Sequence, residues 1–169
     1  MLRLMLLRHG EATRPVDLVD HERPLSIPGH KQARQMGEYI AQQKLTPEIT
    51  IVSTARRAQE TWAEARDAGS IITTENNEPR IYESSIDNLL TVIGHHDPKF
   101  RSMMLVGHNP GLEQLTTWLT GSGDKTALAH LQQGFVVGSL AVIDIPANDW
   151  AALQAQSGHL RRFETPDTV

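Results

Sequence analysis

Apolar residues in the first part of the chain fall into two patterns. Residues 2–7 and 48–53 form short apolar or β-branched runs, which are typical of strands that are covered on both faces. Between them, apolar residues recur at helical spacing and predict a helix over residues 28–44 that begins with a proline. A second helical stripe follows the strand over 48–53, and Ser53 or Thr54 is predicted to cap it.

The middle of the chain continues this alternation. Residues 70–74 and 80–82 are predicted to form short strands, and residues 102–108 are predicted to form a buried one. The next helical stripe lies between these strands. Ser84, followed three positions later by Asp87, forms a capping-box pattern at its start.

The last third of the chain predicts one more strong helix. Asn109 is expected to cap it, with Pro110 at its first position, where proline is best tolerated. Residues 134–145 predict a long strand, residues 150–156 a weak helix, and residues 159–164 an edge strand. Strands that alternate with helices in this way predict an α/β fold, a three-layer α/β/α sandwich around a mainly parallel central sheet.

The composition narrows the functional classes. The 169 residues contain no repeat and no linker-like stretch, so a single domain over residues 1–169 is expected. The net charge of -4 argues against general nucleic-acid binding, which depends on an excess of Lys and Arg. No run approaches the roughly 20 apolar residues of a membrane span. The absence of cysteine leaves no disulfide and no thiol nucleophile, which favours a cytoplasmic location.

Cationic and histidine side chains follow three of the predicted strands. Arg8 and His9 end the first strand, Arg56 and Arg57 come just after the second, and His108 ends a later one. In open α/β sheets ligands sit at the carboxyl ends of the strands, so these side chains are expected to converge, with Arg56 left on a solvated helix face. Two of the clusters also stand beside helix starts, where free backbone N–H groups favour an anion. Phosphate is the common ligand that this arrangement predicts.

Two histidines and two arginines suit phosphoryl transfer. A neutral imidazole is a good nucleophile toward phosphorus near neutral pH, so His9 is the candidate nucleophile. The transferring group spreads its charge over three oxygens, which Arg8, Arg57 and a protonated His108 are predicted to hold. Gly10 would let the backbone fold closely around the nucleophile.

Three motifs resemble those of a known family. They are "LRHGEA" at 7–12, "STARRAQET" at 53–61 and "VGHNPGLEQL" at 106–115, and they look like the nucleophile, second-arginine and second-histidine motifs of the histidine phosphatase superfamily. The resemblance implies the phosphoglycerate-mutase-like fold and an intermediate phosphorylated on His9. The phosphate and substrate contacts expected for this chain are Arg8, Gly10, Arg57, His108 and Asn109.

Within this superfamily the chain is most similar to the SixA branch, the protein phosphohistidine phosphatases. Its compact length, "RPLSIPG" and "GHNPGLEQL" carry this likeness, which covers residues 2 to about 143. Thr54 stands where many relatives have proline, and Gln133 stands where relatives often have threonine. The larger mutases carry insertions that enclose a small substrate, and this chain has little room for them. An open, shallow pocket suited to a phosphorylated protein surface is therefore expected.

Glu83, in "RIYESS", has two interpretations. In relatives that cleave phosphate esters, a carboxylic acid from this part of the chain protonates the departing alkoxide. A phosphohistidine instead leaves as an imidazole, whose ordinary pKa is about 6.5, and it needs far less help. The SixA branch is expected to manage without such an acid. Glu83 is therefore either a catalytic proton donor or a solvated strand-end carboxylate.

Three hypotheses about function follow. The first is a phosphatase without metal or cofactor that removes phosphate from phosphohistidine in signalling or phosphorelay proteins. The second is the same chemistry on small phosphate monoesters, or a mutase, with Glu83 as the general acid. The third is a noncatalytic module that binds a phosphorylated partner. His95 and His96 are interpreted as solvent-facing residues of a helix end, and the lack of a spare apolar stripe favours a monomer.

Overall fold

The computed structural model describes residues 1–169 and contains seven strands that form one sheet. The strands are Leu2–Arg8 (β1), Ile49–Ser53 (β2), Thr74–Glu78 (β3), Ser102–Gly107 (β4), Thr120–Gly123 (β5), Leu140–Ile145 (β6) and Gly158–Glu164 (β7). Their order across the sheet is β3-β2-β4-β1-β6-β7-β5. All neighbouring pairs are parallel except for β6, which runs antiparallel to both β1 and β7. The predicted α/β fold with a mainly parallel sheet is confirmed.

Five helices flank this sheet. They are Ile27–Gln42 (α1), Arg56–Gly69 (α2), Ile86–Gly94 (α3), Gly111–Leu119 (α4) and Lys125–Gln132 (α5). Because successive side chains of a strand point to opposite faces, Leu6 of β1 joins one buried cluster with Leu115 of α4. Its neighbour Leu7 joins the other cluster, with Met36 of α1 and Trp62 of α2. The two clusters separate the three predicted layers. None of the helices combines the length and the hydropathy that a membrane crossing requires.

Serine side chains cap two of the helices. Ser26 accepts a hydrogen bond from the backbone N–H of Gly29 at 3.1 Å, at the start of α1. Ser85 accepts one from the backbone N–H of Asn88 at 3.2 Å, at the start of α3. The predicted cap at Ser84 is therefore wrong by one position.

The start of α2 has no side-chain cap, so the prediction of Ser53 or Thr54 in that role is wrong. The Ser53 hydroxyl lies 2.7 Å from Nε2 of His108, and the Thr54 hydroxyl lies 2.9 Å from Nε2 of His21. The Ser53 hydroxyl also accepts from the backbone N–H of Ala55 at 3.3 Å, but neither hydroxyl accepts from an N–H within α2 itself.

Three short elements differ from the sequence pattern. The strand predicted over 70–74 is wrong, because β3 begins at its last residue and has exposed side chains. Because β3 is an edge strand that pairs only with β2, its side chains need not be apolar, and the sequence shows no apolar pattern there. The strand predicted over 80–82 is wrong as well, because Pro79–Ile81 form a 3-10 turn. The helix predicted over 150–156 is a 3-10 turn at Trp150–Ala152.

The sheet near the carboxyl terminus also departs from prediction. The long strand predicted over 134–145 begins only at Leu140, because Gly134 and Gly138 take left-handed φ angles of 107° and 77° that interrupt an extended chain. The last predicted strand is present as β7. It lies between β6 and β5, so the prediction that it forms the edge is wrong. The short elements β5 and α5 have no counterpart in the sequence pattern.

Candidate active site

The ends of three adjacent parallel strands create the site. β1, β4 and β2 lie side by side, and the last residues of β1 and β4, Arg8 and Gly107, are paired in register. His9 and His108 follow these residues, and their ring centroids are 5.2 Å apart with the planes inclined at 53°. Arg57 lies in the first turn of α2, just beyond β2. The structure therefore brings the two histidines and Arg57 to one edge of the sheet, as topology alone requires for neighbouring parallel strands.

A backbone carbonyl fixes the tautomer of His9. Its Nδ1 lies 2.7 Å from the carbonyl oxygen of Gly10, and because a carbonyl only accepts, Nδ1 carries the hydrogen. The neutral ring then has its lone pair on Nε2. Nε of Arg57 donates to this Nε2 at 3.3 Å. The ring therefore presents an unprotonated nitrogen beside a fixed cation.

Gly10 supports His9 through the backbone. Its N–H donates to the buried hydroxyl of Thr61 at 3.0 Å, and Thr61 donates in turn to the carbonyl oxygen of Arg57 at 2.7 Å. A Cβ on Gly10 would lie only 2.6 Å from the carbonyl oxygen of Gly29, so only glycine permits this approach to α1. Both backbone polar groups of Gly10 are used within the protein. Gly10 is not among the residues that line the cavity described below, and its contact with substrate stays a prediction.

Both imidazoles are held neutral at physiological pH. Burial lowers the pKa of His9 to about 4; the positive charges of Arg57 and Arg8 act in the same direction, against the hydrogen bond to Gly10. Burial also lowers the pKa of His108 to about 3, and His9 and Arg57 add to this effect. In the absence of phosphate, a buried site already rich in arginine therefore disfavours the protonated His108 that the sequence analysis predicts for phosphoryl transfer.

Arg57 is almost completely buried and has three anchors. Its Nη1 donates to the backbone oxygen of Asp20 at 2.9 Å, and its Nη2 donates to the Asp20 carboxylate at 3.1 Å. The third anchor is the hydrogen bond from Nε to His9. The guanidinium carbon also lies 5.8 Å from the centroid of the Tyr82 ring, within the range of a cation–π contact. The planar guanidinium is thus fixed in both position and orientation.

The backbone oxygen of Phe135 ties Arg8 and Asn109 together. It accepts from Nη1 of Arg8 at 2.9 Å and from Nδ2 of Asn109 at 2.8 Å. The Asn109 side-chain oxygen accepts from the backbone N–H of Glu113 at 3.3 Å. The helix α4 begins one residue later than predicted, because its first residue is Gly111 and not Pro110. Nε of Arg8 is buried without a hydrogen-bond partner. Arg8 therefore keeps donor capacity that no protein atom uses.

His108 is held from one side by Ser53. The serine hydroxyl lies 2.7 Å from Nε2, and it also accepts from the backbone N–H of Ala55 at 3.3 Å. The other ring nitrogen, Nδ1, is buried and has no hydrogen-bond partner. The ring of Tyr82 packs edge-on against His108, with the centroids 5.5 Å apart. Nδ1 of His108 is therefore not engaged by any protein atom.

These side chains open into one cavity of about 690 Å³. Glu83 lies on its wall, with an exposed side chain and a left-handed backbone φ of 51°. Every site residue expected from the sequence except Gly10 lines the cavity; these are Arg8, His9, Arg57, Glu83, His108 and Asn109. The sequence pattern does not point to several others, which include Arg14, Asp20, Arg23, Ser84, Ser85 and Gln114.

Asp20 and Arg23 belong to "DHERPL", in the long loop between β1 and α1. Opposite charges that are closely spaced in a proline-containing loop are the signal that could have marked them. No group of three or more acidic or histidine side chains in the structure could hold a metal ion. His96, which stands in the "HHD" stretch, has its Nδ1 2.8 Å from the backbone oxygen of Val92.

The His9 tautomer and its low pKa lead to a direct spectroscopic prediction. Between pH 7 and pH 5 we expect His9 to stay neutral, with hydrogen on Nδ1 and none on Nε2. The folded-state pKa of about 4 lies below the value of about 6.5 expected in the unfolded chain. The unfolded chain therefore binds the proton first, and the free energy of unfolding falls as the pH drops from 6.5 toward 4.

Long-range ¹H–¹⁵N spectra of ¹⁵N-histidine protein measure this property, with His9→Ala to assign the signals. Chemical denaturation across the same pH range measures the stability change. A His9 ring that titrates near its ordinary pKa, or one that carries hydrogen on Nε2 at pH 7, would contradict the geometry described above.

Two buried imidazoles and fixed arginines at the carboxyl edge of a parallel sheet define the class of protein, an enzyme that handles phosphoryl groups. Residues 4–87 match the family model of the histidine phosphatase superfamily (branch 1). The chain belongs to this superfamily, and it is a phosphatase whose structure is of the SixA type.

Relatives of nearly the same length support this assignment. An uncharacterised protein of Mycobacterium leprae (strain TN) is 26% identical over 165 residues, which cover 95% of this chain and 99% of that one. The structure of a candidate phosphohistidine phosphatase SixA from Agrobacterium tumefaciens is 26% identical, with a TM-score of 0.82 and 98% of both chains covered. The protein histidine phosphatase SixA solved with tungstate is 19% identical, with a TM-score of 0.78 and 98% of both chains covered.

Proposed function

We propose that this phosphatase removes phosphate from phosphohistidine in signalling or phosphorelay proteins, and that it does so through a phosphohistidine on His9. The observation that carries the proposal is the neutral His9 ring, whose Nε2 lone pair lies 3.3 Å from Nε of Arg57 in the cavity that Arg8 and His108 also line. The proposal places the enzyme in the cytoplasm as a single-domain monomer.

The first step transfers the phosphoryl group to His9. Nε2 attacks phosphorus, and as this N–P bond forms, the P–N bond of the substrate breaks and its electron pair stays with the substrate imidazole. Because the other nitrogen of that imidazole carries a proton, the leaving group is neutral. Arg8 and Arg57 bind the phosphoryl oxygens, and Nδ1–H of His108 becomes a third donor when Ser53 donates to Nε2.

The second step returns the enzyme to its starting state. The phosphorylated His9 is an imidazolium, and its Nδ1–H remains bonded to the carbonyl of Gly10, which stabilises the added charge. Water attacks phosphorus, the P–N bond breaks with its electrons on Nε2, and the neutral ring is restored. The protons of the water leave with dihydrogen phosphate, so the chemistry balances without a separate acid at the leaving group.

Substrate type and Glu83 provide the test of this proposal. A histidine-phosphorylated phosphotransfer domain and p-nitrophenyl phosphate should be compared with the parent enzyme and with Glu83→Gln. We expect the phosphoprotein to be the better substrate and its turnover to be unchanged in Glu83→Gln. Efficient turnover of esters alone, with a loss of about 10²-fold or more in Glu83→Gln, would support an esterase with a catalytic acid in place of the function proposed here. The observation that favours this second function is the position of Glu83 on the wall of the cavity.

An apolar surface beside the cavity favours a protein as the substrate. Val16, Leu18 and Val19 are exposed large apolar residues, and the loop that carries them lies between Arg14 and Asp20, which line the cavity. We call these three residues the apolar rim. Burying exposed apolar side chains of this kind under a partner is favourable, because it removes apolar surface from water. A phosphorylated protein seated with its phosphate in the cavity would cover the rim, whereas a small ester would leave it exposed.

The double variant Val16→Ser, Val19→Ser tests this surface. We expect its KM for the phosphoprotein to rise about tenfold or more, because each lost apolar contact is worth about 1–3 kcal/mol. Its turnover of phosphoramidate, a small compound with a P–N bond, should match the parent. Ile72→Ser is the matched control, because Ile72 is 91% exposed but precedes β3, at the opposite end of the sheet. Equal KM values for the double variant and the control would show that the apolar rim does not take part in substrate recognition.

A further inference from the structure

Asp20 is an anion on the wall of a cavity that suits anions. One oxygen of its carboxylate accepts from Nη1 of Arg23 at 2.9 Å, and the other accepts from Nη2 of Arg57 at 3.1 Å and from the hydroxyl of Tyr82. Its backbone oxygen accepts a second hydrogen bond from Arg57 at 2.9 Å. A carboxylate here repels phosphate, so its presence calls for a compensating role.

That role follows from the way these contacts fix Arg57. A guanidinium is a rigid plane, and two bonds from Nη1 and Nη2 to the same residue define both its position and its rotation. With these two ends held by Asp20, the third edge of the plane directs Nε at Nε2 of His9, 3.3 Å away. In the proposed reaction, Nε2 of His9 is the atom that bonds to phosphorus. The direction of this N–H is therefore set by a residue of the β1–α1 loop.

Tyr82 and Arg23 fix Asp20 in turn. They approach from different parts of the chain, since Tyr82 follows the 3-10 turn after β3 and Arg23 belongs to the same loop as Asp20. Arg23 also donates to the backbone oxygen of Thr13 at 2.9 Å, which closes the loop on itself. The carboxylate is thus held from two sides before it contacts Arg57.

Proton donation by Asp20 is not consistent with these contacts. Hydrogen bonds from Tyr82 and Arg23, together with the charge of Arg57, hold the pKa of Asp20 well below its usual range. Asp20 therefore stays ionised at any pH at which the enzyme works, and its contribution is that of an acceptor.

We propose that Asp20 is a positioning residue for phosphoryl transfer, which aims the guanidinium of Arg57 at the phosphoryl group bound beside His9. This inference rests on the role given to Arg57 under the proposed function. It adds a reason for the length and charge of the loop between β1 and α1, which neither the nucleophile nor the phosphate contacts explain.

Asp20→Asn tests the proposal, because asparagine keeps the shape of the side chain and loses one acceptor and the charge. With phosphoramidate as substrate, we expect kcat to fall about 10- to 100-fold, the usual cost of losing an outer orienting partner. Inorganic phosphate should bind as tightly as to the parent, or more tightly, because a repulsive charge has been removed. A residue with a merely structural role would not separate kcat from phosphate binding in this way.

Asp17→Asn is the matched control. It makes the same change of charge in the same loop, and Asp17 has no hydrogen bond or ion pair to Arg57. We expect its kcat to equal that of the parent. Tyr82→Phe removes one hydrogen bond to Asp20 and leaves the carboxylate in place, so its kcat should lie between those of the parent and Asp20→Asn. Thermal unfolding of each variant reports whether the fold is intact.

The outcomes separate this inference from the proposed function. Parent-like kcat in Asp20→Asn overturns the inference, and so does a joint loss of kcat, phosphate binding and thermal stability. Either result leaves the proposed function standing as long as Arg57→Ala has lost activity. If Arg57→Ala and His9→Ala both keep the activity of the parent, the proposed function itself fails.

Discussion

Replacing His9 with alanine is expected to lower phosphatase turnover by about 10⁴-fold or more, because the enzyme then has no nucleophile. No cysteine is present to take over, and the other imidazole in the cavity, that of His108, has one ring nitrogen already engaged by Ser53. Turnover of phosphoramidate measures the loss. Quenching the reaction in base, where a phosphorylated nitrogen survives, should trap phosphate on the parent protein and none on His9→Ala.

The control for this variant is His159→Ala. His159 bonds to Ser122 and lies outside the cavity, so its loss should leave turnover and trapping unchanged. Inorganic phosphate should still bind to His9→Ala, because Arg8 and Arg57 remain. Trapped phosphate in His9→Ala, or turnover within about tenfold of the parent, would show that phosphorus is transferred to another group.

Arg57→Ala is expected to cost about 10²- to 10³-fold in kcat, the usual effect of removing one fixed donor from a transition state that carries negative charge. The loss should be larger for kcat than for substrate binding, because the charge on the oxygens is redistributed as the P–N bond breaks. Steady-state kinetics with phosphoramidate separate the two quantities.

Arg56 provides a control from the neighbouring position on α2. Its side chain is exposed and pairs with Glu60 at 3.3 Å, and such a surface ion pair contributes at most about 1 kcal/mol to stability. Arg56→Ala removes the same charge and should leave kcat within about twofold. If the two variants lose activity equally, the effect is one of net charge, and the specific hydrogen bond from Arg57 to His9 is not needed.

The sequence predicted the site residues that directly follow regular strands. His9 and His108 each follow an apolar run whose burial can be read from composition alone, and parallel pairing then places the two ends together. Arg57 could be placed for the same reason, since it begins the helix that leaves the adjacent strand. Here the hydrophobic pattern and the chain direction are sufficient.

The sequence did not predict the contacts that hold these residues in place, because loop residues make those contacts. Asp20 meets Arg57 across 37 positions of sequence, and Tyr82 meets Asp20 across 62. Such loop residues have no periodicity, and only the packed structure fixes their partners. Ser53 shows the same limit in a small way. Its position suits a helix cap, but its hydroxyl bonds to the imidazole of His108 and to the backbone N–H of Ala55, and neither bond reaches the first turn of α2.

One hydrogen bond described above makes the nucleophile selective. The N–H of Arg57 donates to the lone pair of His9, so an electrophile has to replace this hydrogen bond before it can react. An uncharged reagent offers that N–H nothing in exchange, whereas the oxygens of a phosphoryl group offer it a stronger acceptor than nitrogen. We therefore expect the imidazole of His9 to react more readily with a phosphoryl group than with a neutral electrophile.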